Sequence, residues 1–129
     1  MKAHELDTFE LNEEEKPYAI RHRCYNFSRK IILFVKDCRY DKIYGSLFDQ
    51  LIRSATSIGA NMVEGKAGSS KKDWKKFLII ALKSANETKY WFCLIRDTME
   101  VDKSKMSELL KEADELSKII ASIIINSNK

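Results

Sequence analysis

The chain is poor in residues that interrupt helices and in residues that run most enzyme chemistry. Its 129 residues contain one proline, Pro17, and four glycines. A fold of many short strands and tight turns needs more of both. The two histidines, His4 and His22, and the three cysteines, Cys24, Cys38 and Cys93, stand apart from one another. The clustered spacing of a metal site is therefore missing. An odd count of dispersed cysteines fits reduced thiols in a cytoplasm better than a disulfide framework. No apolar run approaches the roughly 20 residues of a membrane span, and the acidic N-terminus lacks the basic-then-apolar pattern of a secretory leader. Neither a phosphate loop nor a dinucleotide fingerprint occurs. No metal, cofactor or small-molecule substrate is expected.

What is present is apolar and charged residue in quantity, 44% and 33% of the chain. This suits one helix-rich domain with a sizeable core. The net charge of +4 is unevenly placed. Residues 1–17, MKAHELDTFELNEEEKP, carry six acids against Lys2 and Lys16, a net of −4, which leaves +8 for the remainder. An acidic arm on a basic body points to polyanion binding by the body, with the arm as a competitor. The plainer alternative is a disordered leader.

Behind the arm, residues 18–129 read as four amphipathic helices, at about 18–39, 44–64, 70–100 and 104–126. The first carries apolar residues at Ile20, Cys24, Phe27, Ile31, Phe34 and Cys38, and the second at Tyr44, Phe48, Leu51, Ala55, Ile58 and Met62. Gly65 then stands where a left-handed helix stop is expected. Ser69 or Ser70 can cap the third helix, whose seam reads Trp74, Phe77, Ala81, Ser84, Thr88, Trp91 and Ile95. Asp102 or Ser104 opens the fourth, with Met106, Leu109, Ala113, Leu116, Ile120 and Ile123. The expected fold is all-α, an antiparallel up-down four-helix bundle.

The third helix is apolar on more than one side. Ile79, Leu82, Asn86, Tyr90 and Cys93 lie on a second stripe roughly 100–120° from the seam. A small bundle covers one broad face of each helix, so this stripe is the expected interface of a homo-oligomer, the alternative being a thicker core.

Catalytic constellations are weak, and no catalytic residue is assigned. His22 lies between Arg21 and Arg23, with no carboxylate beside it. Neither histidine is preceded by the arginine of a helical RNase Arg-loop-His motif. Asp114 and Glu115 are adjacent and diverge on a helix, and Glu112 with Glu115 reads as a solvated face.

Binding signals are stronger. With Arg21 placed at zero, Tyr25, Arg29, Ile32, Lys36 and Arg39 fall within about 80° of it on a helical wheel. Cations interleaved with a tyrosine suit phosphate neutralisation and base stacking. The same face could instead be solvated or touch a neighbouring subunit. A second cluster, Lys71, Lys72, Lys75 and Lys76, follows Lys66 around the start of the third helix. On the second helix, Gln50, Arg53, Ser57, Asn61 and Glu64 form one polar seam. Glu87 is a candidate partner for Arg53, and the 66–70 loop for Glu64. The seam is either a network that sets helix register or a ligand site.

The stretch YGSLFDQLIRSATSIGANMVEG, from Tyr44 to Gly65, and WKKFLIIALKSANE, from Trp74 to Glu87, closely resemble proteins encoded in 23S rRNA intervening sequences. Gln50, Leu51, Arg53, Ala55, Ser57, Ile58, Asn61, Glu64 and Gly65 match that family's pattern, as do Phe77, Leu78, Ile80, Ala81, Ser84 and Glu87. The resemblance implies a four-helix bundle assembled into a ring of five subunits. It also implies kinship with basic accessory proteins of retroelement reverse transcriptases, regarded as nucleic-acid binders. It implies no enzymatic activity. The family's loop arginine after Glu-Gly is absent here, with Ala67-Gly68-Ser69 in its place, and Lys83 replaces a small residue. The expectation is a cytoplasmic, non-enzymatic oligomer that binds RNA or DNA. The alternative is a protein–protein scaffold or an accessory subunit, for example of a reverse transcriptase.

Overall fold

The computed structural model describes residues 19–68 and 70–127; the acidic arm expected at 1–17 lies outside the described residues. Within them the chain forms α1 (Ala19–Asp37), α2 (Gly45–Ala67), α3 (Lys71–Thr98) and α4 (Lys103–Ser127), with a 3-10 turn at Lys42–Tyr44. There is no β-strand among the described residues.

Local chemistry explains the helix ends. Ser70 is extended, and its hydroxyl oxygen accepts a hydrogen bond from the Asp73 amide at 3.0 Å. Asp73 itself puts a carboxylate near the positive end of the α3 dipole. At α4, Asp102 rather than Ser104 caps, its Oδ1 accepting from the Lys105 amide at 3.1 Å. α3 stops where Met99 turns extended.

The left-handed stop at Gly65 does not form. α2 continues through Gly65 to Ala67, and no described glycine has a positive φ. Gly65 is buried, and a Cβ there would lie 2.8 Å from Trp74 Cε3 and 2.9 Å from Phe77 Cβ. What the position requires is space for α3 to approach, rather than an unusual backbone angle.

The helices touch in a closed cycle, α1 with α2, α2 with α3, α3 with α4 and α4 with α1, the α2–α3 contact being the most extensive. This is the arrangement of a four-helix bundle. The core collects Cys24, Phe27, Ile31 and Phe34 from α1, Phe48, Leu51, Ala55, Ile58 and Met62 from α2, and Met106, Leu109, Ala113, Leu116 and Ile120 from α4. The Phe34 and Phe92 rings meet across it, with centroids 6.5 Å apart. Burying each such ring stabilises the fold by about 1.5–3 kcal/mol.

On α3 the buried seam is Leu78, Ala81, Ala85, Thr88, Phe92 and Ile95. Phe77, Ser84 and Trp91, expected on the seam, are only half-buried. α3 packs against both α2 and α4, so the centre of its buried arc falls between those two contacts, one residue away from the expected row.

Candidate nucleic-acid interface

α1 carries cations on both flanks of its core stripe, and the two flanks differ. On the α4 side, Arg23 is held in a fork. Its Nη2 donates to Glu112 Oε2 at 2.7 Å and to Glu115 Oε2 at 2.8 Å, and its Nε donates to Glu112 Oε1. These bonds, led by that to Glu112, push the guanidinium further toward its charged form. Glu112 and Glu115 are therefore an inter-helix clasp and not a merely solvated face. Their spacing of three on α4, together with an arginine flanking the α1 core stripe, was the signal available for this pair.

The other flank faces α2 and the solvent. Arg29, Lys36 and Arg39 are exposed and have no ion pair among the described residues. Tyr25, one turn before Arg29, and Ile32, between Arg29 and Lys36, are 46% and 41% exposed. Of the expected face, Arg21 is half-buried and Arg39 lies beyond the end of α1. Below that face, the α1–α2 junction opens into two hollows. One, of about 360 Å³, is lined by Arg21, Tyr25, Ser28, Thr56, Val63 and Glu64 among others. The other, of about 550 Å³, is lined by Ile32, Val35, Lys36, Arg39, Tyr40 and Ile52. The Nε of Arg21 is buried at the first hollow without a hydrogen-bond partner.

The lysine cluster lies at the same end of the bundle as Arg21. Arg21 and Glu64 line one hollow, and Gly65 packs on Trp74, in the first turn of α3. Lys71 and Lys72 are exposed, Lys75 is half-buried, and Lys76 stands 5.6 Å from the centre of the Phe77 ring. These cations crowd the positive end of the α3 dipole, where cations are disfavoured.

The polar seam divides. Asn61 donates to the Ser57 carbonyl at 2.8 Å and to Ser57 Oγ at 2.9 Å, and Ser57 and Ser84 hydroxyls share a 2.9 Å bond. Deeper in, Thr88 donates to the Ser84 carbonyl at 2.7 Å and lies 3.0 Å from Ser54 Oγ. Because Thr88 has one hydroxyl proton, Ser54 is its acceptor only when the Ser84 bond is released. Ser54 and Thr88 were missed in the seam because small hydroxyls at apolar spacing read as core. Gln50, Arg53 and Glu64 do not join this ladder, and their side chains have no partner among the described residues. Glu87 accepts from Trp91 Nε1 at 3.1 Å, so it does not pair with Arg53. One helical turn on α3 satisfies the carboxylate locally.

The expected oligomer stripe sits on α3 with Ile79 and Tyr90 exposed and Leu82 and Cys93 half-buried. Leu82 leans on the core. A further hollow of about 620 Å³ lies at the other end of the bundle, lined by Asp37, Cys38, Arg39, Glu100, Asp102 and Lys103 among others. Burial pushes the Cys38 thiol up, and pushes that of Cys24 up to about 12. Both stay protonated at neutral pH and are poor nucleophiles. Among the described residues, no three His, Cys, Asp or Glu side chains are placed to hold a metal ion. No helix there is long and apolar enough to cross a membrane.

Comparison with known proteins gives a consistent picture. The family model described as 23S rRNA-intervening sequence protein matches residues 16–122. A solved structure from Bacteroides thetaiotaomicron VPI-5482, a protein with unknown function from the S23 ribosomal protein family, superposes with a TM-score of 0.72 at 30% identity. That match covers 81% of this chain and 97% of the other. No curated protein matches the chain.

Proposed function

The chain belongs to the 23S rRNA-intervening sequence protein family, and from that premise we propose that it is a non-enzymatic, oligomeric bundle that binds structured RNA through its phosphates. The carrying observation is the division of cations on α1. Arg23 is consumed by Glu112 and Glu115, whereas Arg29, Lys36 and Arg39 form an exposed row with Tyr25 and no ion pair among the described residues. Cations aligned without counter-charges attract a polyanion, and a tyrosine among them can stack a base. Arg21 extends the row toward Lys71, Lys72, Lys75 and Lys76, whose position on the helix dipole becomes favourable once an anion is bound.

Self-association is part of this reading, through Ile79, Leu82, Tyr90 and Cys93. Support comes from the exposure of Ile79 and Tyr90, 38% and 60%. The up-down order is part of it too. As α2 runs back from Ser57 to Ser54, its partners on α3 run forward from Ser84 to Thr88, as antiparallel neighbours require.

The test is binding to an RNA hairpin and to duplex DNA across a salt series. Phosphate-driven binding weakens linearly on a logarithmic plot, with a slope that follows the number of phosphates neutralised. Absence of binding even at low salt rejects this function. The second reading, a scaffold or accessory subunit, then stands on the apolar residues left outside, Ile43 at 78% and Tyr44 at 46% exposed.

A further inference from the structure

The groove between α1 and α2 has features that a nucleic acid alone does not explain. Arg21, Lys36 and Arg39 line its two hollows, yet Tyr25, Ile32 and Val63 line them with exposed apolar surface. At the end where the chain enters α1, the Nε of Arg21 is shielded from water with nothing to accept its proton. A buried donor left unmet destabilises the fold, so an acceptor is called for at that point.

We propose that this groove is the docking surface for the chain's own acidic N-terminal segment, residues 1–18, which covers the basic rim until an RNA displaces it. The segment is complementary in both respects. It offers Glu5, Asp7, Glu10, Glu13, Glu14 and Glu15 for the cations, and Leu6, Phe9 and Leu11 for the apolar lining. Its net charge is −4, while α1, with five Lys and Arg against Asp37, has a net of +4.

Reach and attachment favour this occupant over any free peptide. Eighteen residues extend to about 60 Å, and α1, with its 19 residues, is about 28 Å long. Roughly half the segment is enough to run back along the helix, placing Glu13 to Glu15 beside Arg21 and the earlier acids beside Lys36 and Arg39. Tethering supplies an effective concentration of order millimolar, so weak contacts suffice for docking. Docking itself is independent of the proposed function; displacement by RNA rests on it.

The experiment uses the full chain and a full-chain variant with Glu10→Gln, Glu13→Gln, Glu14→Gln and Glu15→Gln. Amide NMR spectra without nucleic acid should differ between the two at Tyr25, Ile32 and Val63 in about 50 mM salt, and converge in about 500 mM, where charge is screened within a few ångströms. Arg21→Gln in the wild-type background should shift the same amides toward the variant. Differences confined to residues 1–18 overturn the docking. In a parallel titration with a short RNA hairpin, a segment docked about nine-tenths of the time leaves a tenth of the protein competent, so the variant should bind about tenfold more tightly. Equal affinities overturn the displacement. If neither protein binds RNA, the proposed function fails and the spectra alone decide docking.

Discussion

α2 takes part in two junctions that are built differently. Toward α3 it presents Gly65, Ser54, Ser57 and Asn61, and the interface closes around a ladder of hydroxyl and amide bonds. Toward α1 it presents Thr56, Gly59, Ala60 and Val63, and the backbones approach at Gly59 while the outer edge stays open as a groove. The α3 junction satisfies its polar groups internally; the α1 junction leaves cations with no partner among the described residues. Small size on α2 permits both. The residues opposite decide the outcome, aromatic rings and hydroxyls on α3, long cationic chains on α1.

The contrast can be broken in graded steps. Gly65→Ala should have the largest effect, about 2 kcal/mol of lost stability in urea unfolding, because its Cβ meets the Trp74 ring and Phe77 Cβ at under 3 Å and overpacking typically costs 1–3 kcal/mol. Thr88→Val keeps the shape and removes the buried hydroxyl from the ladder. A cost of about 1 kcal/mol is expected by the same measurement, since Ser54 retains the Leu51 carbonyl as acceptor. Gly59→Ala should change stability by less than about 0.5 kcal/mol: its Cβ would sit 3.2 Å from Cys24 Cβ, and the roughly 1 kcal/mol gain in helix propensity offsets that pressure. The double change Arg29→Ala with Lys36→Ala should leave the unfolding midpoint almost unmoved while lowering the slope of the RNA salt dependence by about 2. A midpoint shift comparable to that of Gly65→Ala would show that the open rim is structural after all.

The four helices were legible because apolar spacing of three and four persists through each, and because only one proline interrupts the chain. The N-caps of α3 and α4 were legible to within two candidate residues. The exposure of Tyr25, Arg29, Ile32 and Lys36 was legible as well, since their angle on the wheel separates them from the core stripe. Other features were hidden for a common reason: they depend on which helix stands opposite. Gly65 resembles a helix stop from its own neighbours and becomes a contact residue only beside Trp74. Arg53 and Glu87 are plausible partners by sequence, yet Trp91 holds Glu87 from within α3. The buried row of α3 shifts by one residue because two helices share it.

The sequence by itself determined the all-helical class, the family, the acidic segment set against a basic body, and the spacing of the cations along α1. These follow from covalent order, helical periodicity and the count of charges. Tertiary structure decided which cations remain exposed, since Arg23 and Arg29 are chemically alike until Glu112 and Glu115 are brought to one of them. It also decided that the hydroxyls of Ser57 and Ser84, and of Ser54 and Thr88, meet between α2 and α3, and that the α1–α2 edge stays open. Pairing is a property of distance, and only the packed bundle sets distance between residues far apart in the chain.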